Sequence, residues 1–168
     1  ERTLTESRKK TMSVIVSMNQ MLQKVIPNHV GRYTDEFYPN ATGDNFQRAG
    51  YHTILLEAGH YKNDYDREVV RKFNFLALLQ GLFFIATTKS FDNYKPYFDI
   101  PNNDKKFYDV IYRNALYENK IQDIALQYKF KLINNRVEKL LELEKVGDLS
   151  NYYGHFEENL NGNIFSLI

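Results

Sequence analysis

The amino-terminal part of the chain has the apolar spacing of an amphipathic helix. Between Leu4 and Ile26 the apolar residues recur with a period near 3.6, which places their side chains on one helix face. Pro27 and Asn28 follow directly and end the pattern. We therefore predict a helix over 4–26, and we interpret its three methionines as core packing rather than as an adaptable binding face.

A strand and a second helix are predicted next. Residues 29–50 show no period, whereas YHTILLEA (51–58) is rich in aliphatic residues and is flanked by glycines, as in a buried strand. The segment 64–88 begins with acidic residues, the charge that the amino-terminal end of a helix dipole favours. Its uncharged part, 73–88, is shorter than the roughly 20 residues that span a bilayer. We predict that it is a helix buried against a sheet.

The second half of the chain has a different pattern. FDNYKPYFDIPNNDKK (91–106) is rich in Pro, Asn and Asp and is predicted to be a connector. Apolar and polar residues then alternate over 106–117 and 121–133, as in half-buried strands. RVEKLLELEKVGDLS (136–150) fits either a helix or a strand, and 151–168 fits a short strand or a loop.

These patterns predict an α/β fold with two parts. We expect an α/β domain at residues 1–92 and a β-rich extension of unknown role at residues 93–168.

Composition and charge narrow the possible functions. The chain has 168 residues and a formal net charge of +1, without a basic stripe, so we expect neither nucleic acid nor a membrane as a partner. It has no Cys, which excludes disulfides, a thiol nucleophile and Cys-ligated metals. It begins without Met, so we expect the natural amino terminus to lie upstream, in a cytoplasmic protein.

Glu57 is the first candidate for chemistry. It directly follows the apolar residues 54–56, where burial of a carboxylate raises its pKa toward values that suit proton transfer. The structural alternative is an acid at a strand end that pairs with His60, Arg48 or Arg67.

The residues before Glu57 favour the catalytic interpretation. EFYPNATGDNFQRAG (36–50), followed by YHTILLEAGH (51–60), resembles the carboxy-terminal half of the zinc carboxypeptidase superfamily, the carboxypeptidase A-like metallopeptidases. In that family a long helix, a loop with a Tyr, a Gly-containing turn, a strand ending in the catalytic Glu and a last helix follow in this order. TILLEAGHYKNDYDRE is similar to a bacterial subgroup in which Ala, Gly and His follow the catalytic Glu.

The resemblance implies a role for several residues. Glu57 would be the general base that deprotonates a zinc-bound water and passes the proton to the leaving amine. Tyr38 would match the loop Tyr that closes over the substrate, although Tyr33 is close enough for the alignment to slip. Asp44 would face the substrate cleft or form a structural turn, and His60 would support the base or the pocket.

The resemblance also implies that the zinc ligands lie outside this sequence. The family uses a His-x-x-Glu pair and a later His from its amino-terminal half, and neither has a counterpart at the expected position. His155 and Glu158 have the His-x-x-Glu spacing but follow the catalytic Glu, and we interpret them as a polar turn. The sequence contains no G-x-S-x-G, P-loop or G-x-G-x-x-G motif.

The sequence therefore predicts part of a zinc metallocarboxypeptidase that hydrolyses a carboxy-terminal peptide bond or a related amide. We expect zinc in the complete protein and none in this chain, which would be inactive alone and could self-associate. The alternative is a non-enzymatic interaction module in which Glu57 is structural.

Overall fold

The computed structural model describes residues 3–34 and 36–166 and has a mixed α/β fold. The α-helices are α1 (Glu6–Val25), α2 (Thr42–Arg48) and α3 (Glu68–Thr87), and a 3-10 helix covers Lys95–Asp99. The strands are β1 (Phe107–Tyr117), β2 (Lys120–Ile133), β3 (Arg136–Gly147) and β4 (Tyr153–Asn159). The helices predicted from the amphipathic and apolar segments and the strands predicted from alternation are confirmed, and the ambiguous segment after residue 135 is a strand. Residues 29–50 were expected to be irregular, which is wrong for Thr42–Arg48, the residues of α2.

The chain divides into two compact units. The helical unit runs to Gly59 and resumes over Glu68–Asp104, and the sheet unit contains His60–Arg67 and the residues from Lys105 onward. The predicted domains 1–92 and 93–168 stay a prediction.

In the helical unit α1 packs against α3. The Oγ1 of Thr5 caps α1 by accepting the backbone N–H of Arg8 at 3.3 Å. Gln80 of α3 donates to the hydroxyl of Ser17 at 2.9 Å. The next residue, Gly81, lies so close to α1 that an added Cβ would be 3.1 Å from the sulfur of Met18. Small and flexible side chains therefore allow the two helices to approach closely.

Most of α3 is not buried, so the prediction of a buried helix is wrong. Only Val70, Ala77 and Gly81 of this helix are buried among the described residues. Its exposed large apolar residues are Val69, Phe75, Leu78, Leu79, Leu82, Phe83 and Ile85. By length and composition alone α3 could cross a membrane, a test that core helices of soluble proteins also pass. The sequence pattern required an apolar neighbour, and α1 covers only one side.

The sheet unit contains one mixed sheet in the order β3-β2-β1-β4. The β1–β2 and β2–β3 pairs are antiparallel, and β4 is parallel to β1. Two-residue turns, Glu118–Asn119 and Asn134–Asn135, join the antiparallel strands with positive φ at both positions. This geometry matches the twist of a hairpin, and Asn tolerates it better than most residues.

Both faces of the sheet bury apolar side chains. One cluster contains Tyr108, Ile111, Ala125 and Leu149, and the other contains Val110, Ala115, Ile124 and Leu126. Leu149 belongs to the connection 148–152, which joins the two edge strands β3 and β4. Since this residue is fully buried against residues of β1 and β2, the connection covers one face of the sheet.

A β-bulge in β1 creates the anchor for that connection. Tyr112 pairs with Ile124 and Ala115 with Gln122, so Arg113 and Asn114 together lie opposite Asp123. The Asp123 carboxylate accepts the Asn114 backbone N–H and an Arg113 N–H, each at 3.0 Å.

The other donors of Arg113 fasten the connection and β4. Nη1 donates to the carbonyl of Leu149 at 2.6 Å, and Nη2 donates to the carbonyl of Tyr152 at 2.7 Å. Nε and Nη2 both donate to one carboxylate oxygen of Glu157, at 3.0 and 2.8 Å. One side chain therefore ties together β1, β2, β4 and the connection 148–152.

We expect Arg113→Met to destabilise the chain by about 2–4 kcal/mol, because two carboxylates and two carbonyls lose the hydrogen bonds that the guanidinium donates. The measurement is the free energy of unfolding in urea. Arg136→Met, at an exposed arginine of β3, is the matched control and should change stability little. Equal effects of the two substitutions would contradict this role of Arg113.

Candidate functional site

The segment that carries Glu57 has no regular secondary structure, so the predicted buried strand over 51–58 is wrong. No residue of this segment pairs in the sheet or belongs to a helix, and Leu55 is 68% exposed. Strand hydrogen bonds need a neighbouring strand, and none of the described residues supplies one here. Aliphatic residues such as Leu55 and Leu56 are usually buried, but the described residues leave both of them exposed.

Glu57 itself is exposed, contrary to the expectation of a partly buried carboxylate. Within residues 3–34 and 36–166 its carboxylate makes no hydrogen bond and no ion pair. In particular, it does not pair with Arg48, the cation of the same unit that the structural alternative proposed. Glu57 is thus exposed and unpaired among the described residues.

Tyr38 and Asp44 are brought together by α2. The backbone N–H of Tyr38 donates to the Asp44 carboxylate at 2.8 Å. The next residue, Asn45, donates through its amide nitrogen to the carbonyl of Pro39, also at 2.8 Å. Both side chains therefore hold the loop before α2 in place, which supports the structural interpretation of Asp44.

The hydroxyl of Tyr38 has a partner that the sequence did not indicate. It donates to the carboxylate of Glu36 at 2.8 Å. This hydrogen bond and the negative charge of Glu36 raise the pKa of Tyr38 above its ordinary value. The phenol is half exposed, and its hydroxyl is held by the hydrogen bond to Glu36. When that hydrogen bond breaks, the hydroxyl is accessible to a ligand.

His60 lies in the sheet unit, where it meets the other histidine that the sequence singled out. Its Nδ1 is 3.1 Å from Nε2 of His155 on β4. The ring of His60 also stacks on Phe107, with 5.8 Å between the ring centroids. The two histidines are 95 positions apart, so no local sequence signal could have paired them.

The HFEE segment (155–158) is part of β4, so its interpretation as a polar turn is wrong. In a strand, residues three apart point to opposite faces, so His155 and Glu158 cannot share a metal ion as they would on a helix. Among the described residues no group of three or more His, Asp or Glu side chains could hold a metal.

Comparison with known proteins gives no family for this chain. No protein-family model matches it, and no curated protein or solved structure matches it. The similarity to zinc carboxypeptidases therefore stays a prediction based on the residues quoted above.

We expect Glu36→Gln to lower the pKa of Tyr38 toward its ordinary value, because an amide keeps the hydrogen bond but loses the charge. The measurement is an alkaline NMR titration of the chain with its tyrosine ring carbons labelled. Glu118→Gln, in the turn between β1 and β2, should leave the Tyr38 titration unchanged. A Tyr38 curve that is identical in all three proteins would contradict the assigned cause.

Proposed function

We propose that this chain is the carboxy-terminal part of a zinc carboxypeptidase-like hydrolase and that Glu57 is its general base. The order of elements supports the proposal: α1, the loop with Tyr38, the turn of α2 with Gly43 and Asp44, the irregular segment ending in Glu57, and α3. The catalytic domain would be of the α/β/α sheet type, completed by polypeptide upstream of this sequence. Its substrate would be a peptide with a free carboxy terminus or a related amide.

The observation that carries this proposal is the unpaired state of Glu57. A solvated carboxylate on a purely structural surface is usually unpaired as well, but this one ends a run of aliphatic residues that would be buried in a sheet. If a neighbouring strand covered residues 54–56, the carboxylate would lie at the edge of that sheet and be partly desolvated. Partial desolvation is the usual environment of a carboxylate that acts as a general base.

In this proposal the chain's own residues have distinct roles. Glu57 accepts a proton from the attacking water and returns it to the leaving amine. Tyr38 releases Glu36 and donates its hydroxyl hydrogen to the substrate. Asp44 holds the Tyr38 backbone, and so positions the phenol without contacting substrate. Zinc would require ligands from upstream, since the described residues contain no group that fits it.

We expect Glu57→Gln to lower the turnover of the complete protein by about 10²–10⁴-fold, the usual contribution of a general base. Zinc content, measured in the same samples, should stay unchanged. Glu138→Gln, at an exposed glutamate of β3, is the matched control. Unchanged turnover in Glu57→Gln would exclude the role, and a complete protein that takes up no zinc and cleaves no such substrate would refute the enzyme.

One observation favours a second candidate function, an interaction module. The exposed residues of α3 form an uncharged, mainly apolar surface over 73–87, which we name the α3 face. Large exposed apolar surfaces usually mark interaction sites. With no charge to complement, the α3 face fits a second apolar surface, and the same face of another copy is such a surface.

We expect the isolated chain to self-associate through the α3 face. Leu82 is 65% exposed, so Leu82→Lys should weaken association without disturbing the contact with α1. Thr87→Lys, at the exposed end of the same helix, is the matched control. The measurement is sedimentation velocity over a range of concentrations. A chain that stays monomeric throughout, or equal effects of the two substitutions, would contradict this function.

A further inference from the structure

The contact between His60 and His155 has properties that depend on protonation. A neutral imidazole has one donor and one acceptor nitrogen, so a hydrogen bond between two rings requires one ring to donate and the other to accept. The Nδ1 of His155 is buried and has no hydrogen-bond partner among the described residues. A hydrogen on that nitrogen would be a buried donor without an acceptor, which is unfavourable.

The tautomers follow from that constraint. The hydrogen of His155 belongs on Nε2, from which it is donated to Nδ1 of His60 across the observed 3.1 Å. His60 then carries its own hydrogen on Nε2. The contact is satisfied when both rings are neutral.

Adding a proton to either ring disturbs this arrangement. A proton on Nδ1 of His60 places two N–H groups against each other at the contact. A proton on His155 occupies the buried Nδ1, where no acceptor is present. If His155 changed its tautomer to accept from a charged His60, the buried Nδ1 would again carry the hydrogen. Every protonated state therefore either sets two N–H groups against each other at the contact or buries the Nδ1–H of His155 without an acceptor.

The surrounding groups act on His60 in opposite directions. Burial lowers the pKa of His60 most, and the neighbouring His155 and the cation Arg67 lower it further. Asp109 on β1 acts the other way, but its carboxylate also accepts the side chain of Gln127 and the backbone N–H of Tyr128. The net effect is a lowered pKa of His60.

The contact is also the anchor of a chain segment. His60–Arg67 leaves the helical unit and belongs to the sheet unit. The ring of Tyr65 packs edge-on against His155, with 5.0 Å between the centroids, and Phe107 packs against both histidines. Three aromatic rings and one hydrogen bond therefore meet at His155.

We propose that the His60–His155 pair is a pH-dependent latch, which holds segment 60–67 on β1 and β4 when both rings are neutral and releases it when the pair is protonated. The latch is independent of the proposed hydrolase activity. Its direction follows from proton linkage, because the unfolded or released segment binds the proton more readily than the closed latch. The stabilisation is fully present above about pH 6.5, the ordinary histidine pKa, and is lost as the pH falls below it.

The experiment is amide hydrogen exchange of the whole chain, measured well above and well below about pH 6.5 and corrected for the intrinsic pH dependence of exchange. We expect a several-fold loss of protection in segment 60–67 on acidification, while the centre of β2 stays protected. Nitrogen-detected NMR of the histidine rings should show the hydrogen of His155 on Nε2 at neutral pH.

A variant separates the latch from a general effect of acid. The Oδ1 of Asn lies near the position of Nδ1 in His, so His60→Asn keeps an acceptor for His155 but cannot itself be protonated. We expect His60→Asn to keep segment 60–67 protected further into acid than the natural chain. His29→Asn, in the helical unit, is the matched control and should leave the pH response as it is.

Three results would overturn the proposal. One is equal protection of segment 60–67 on both sides of the histidine pKa. Another is a hydrogen on Nδ1 of His155 at neutral pH. The third is an identical pH response in the natural chain and His60→Asn; and if that variant fails to fold, the exchange and the ring spectra of the natural chain still decide the question.

Discussion

The sheet unit depends on the guanidinium of Arg113. A connection that crosses a sheet exposes its backbone carbonyls to the sheet rather than to a regular hydrogen-bonding partner, and those groups need donors. The bulge beside Asn114 turns Arg113 toward this connection, where a planar group with several donors can satisfy two carbonyls and two carboxylates at once. The burial of Leu149, and with it one of the two apolar clusters, follows from that anchor.

The helical unit has the opposite condition. Gln80 and Ser17 form a hydrogen bond between α3 and α1, but much of the apolar surface of this unit is not covered. The α3 face and the aliphatic residues before Glu57 both have sequences typical of buried elements and are both exposed. In the proposed hydrolase a sheet from the rest of the protein would cover these apolar residues. In the proposed interaction module a second copy of the chain would cover them. Both proposals therefore explain the same exposed apolar surface.

The spacing of apolar residues predicted the secondary structure that depends only on neighbouring residues in the sequence. The period of α1 and the alternation along β1 and β2 identified those elements, because amphipathic spacing depends only on neighbours in sequence. The same reasoning failed for the segment ending in Glu57 and for the burial of α3, because both depend on a partner that lies elsewhere. Of the candidate residues, Tyr38 and Asp44 are near each other in sequence and in the structure, whereas the contact of Glu36 with the phenol was not visible in any pattern.

The sequence by itself predicted the two long helices and the strands β1 and β2, since these follow from the spacing of apolar residues along the chain. Only the tertiary structure decided that β4 lies parallel to β1, that Arg113 anchors the connection across the sheet, and that two histidines 95 positions apart share a hydrogen bond. The physical reason is that such contacts join distant parts of the chain. Their free energy depends on which groups are buried together, and periodicity along a single segment carries no information about that.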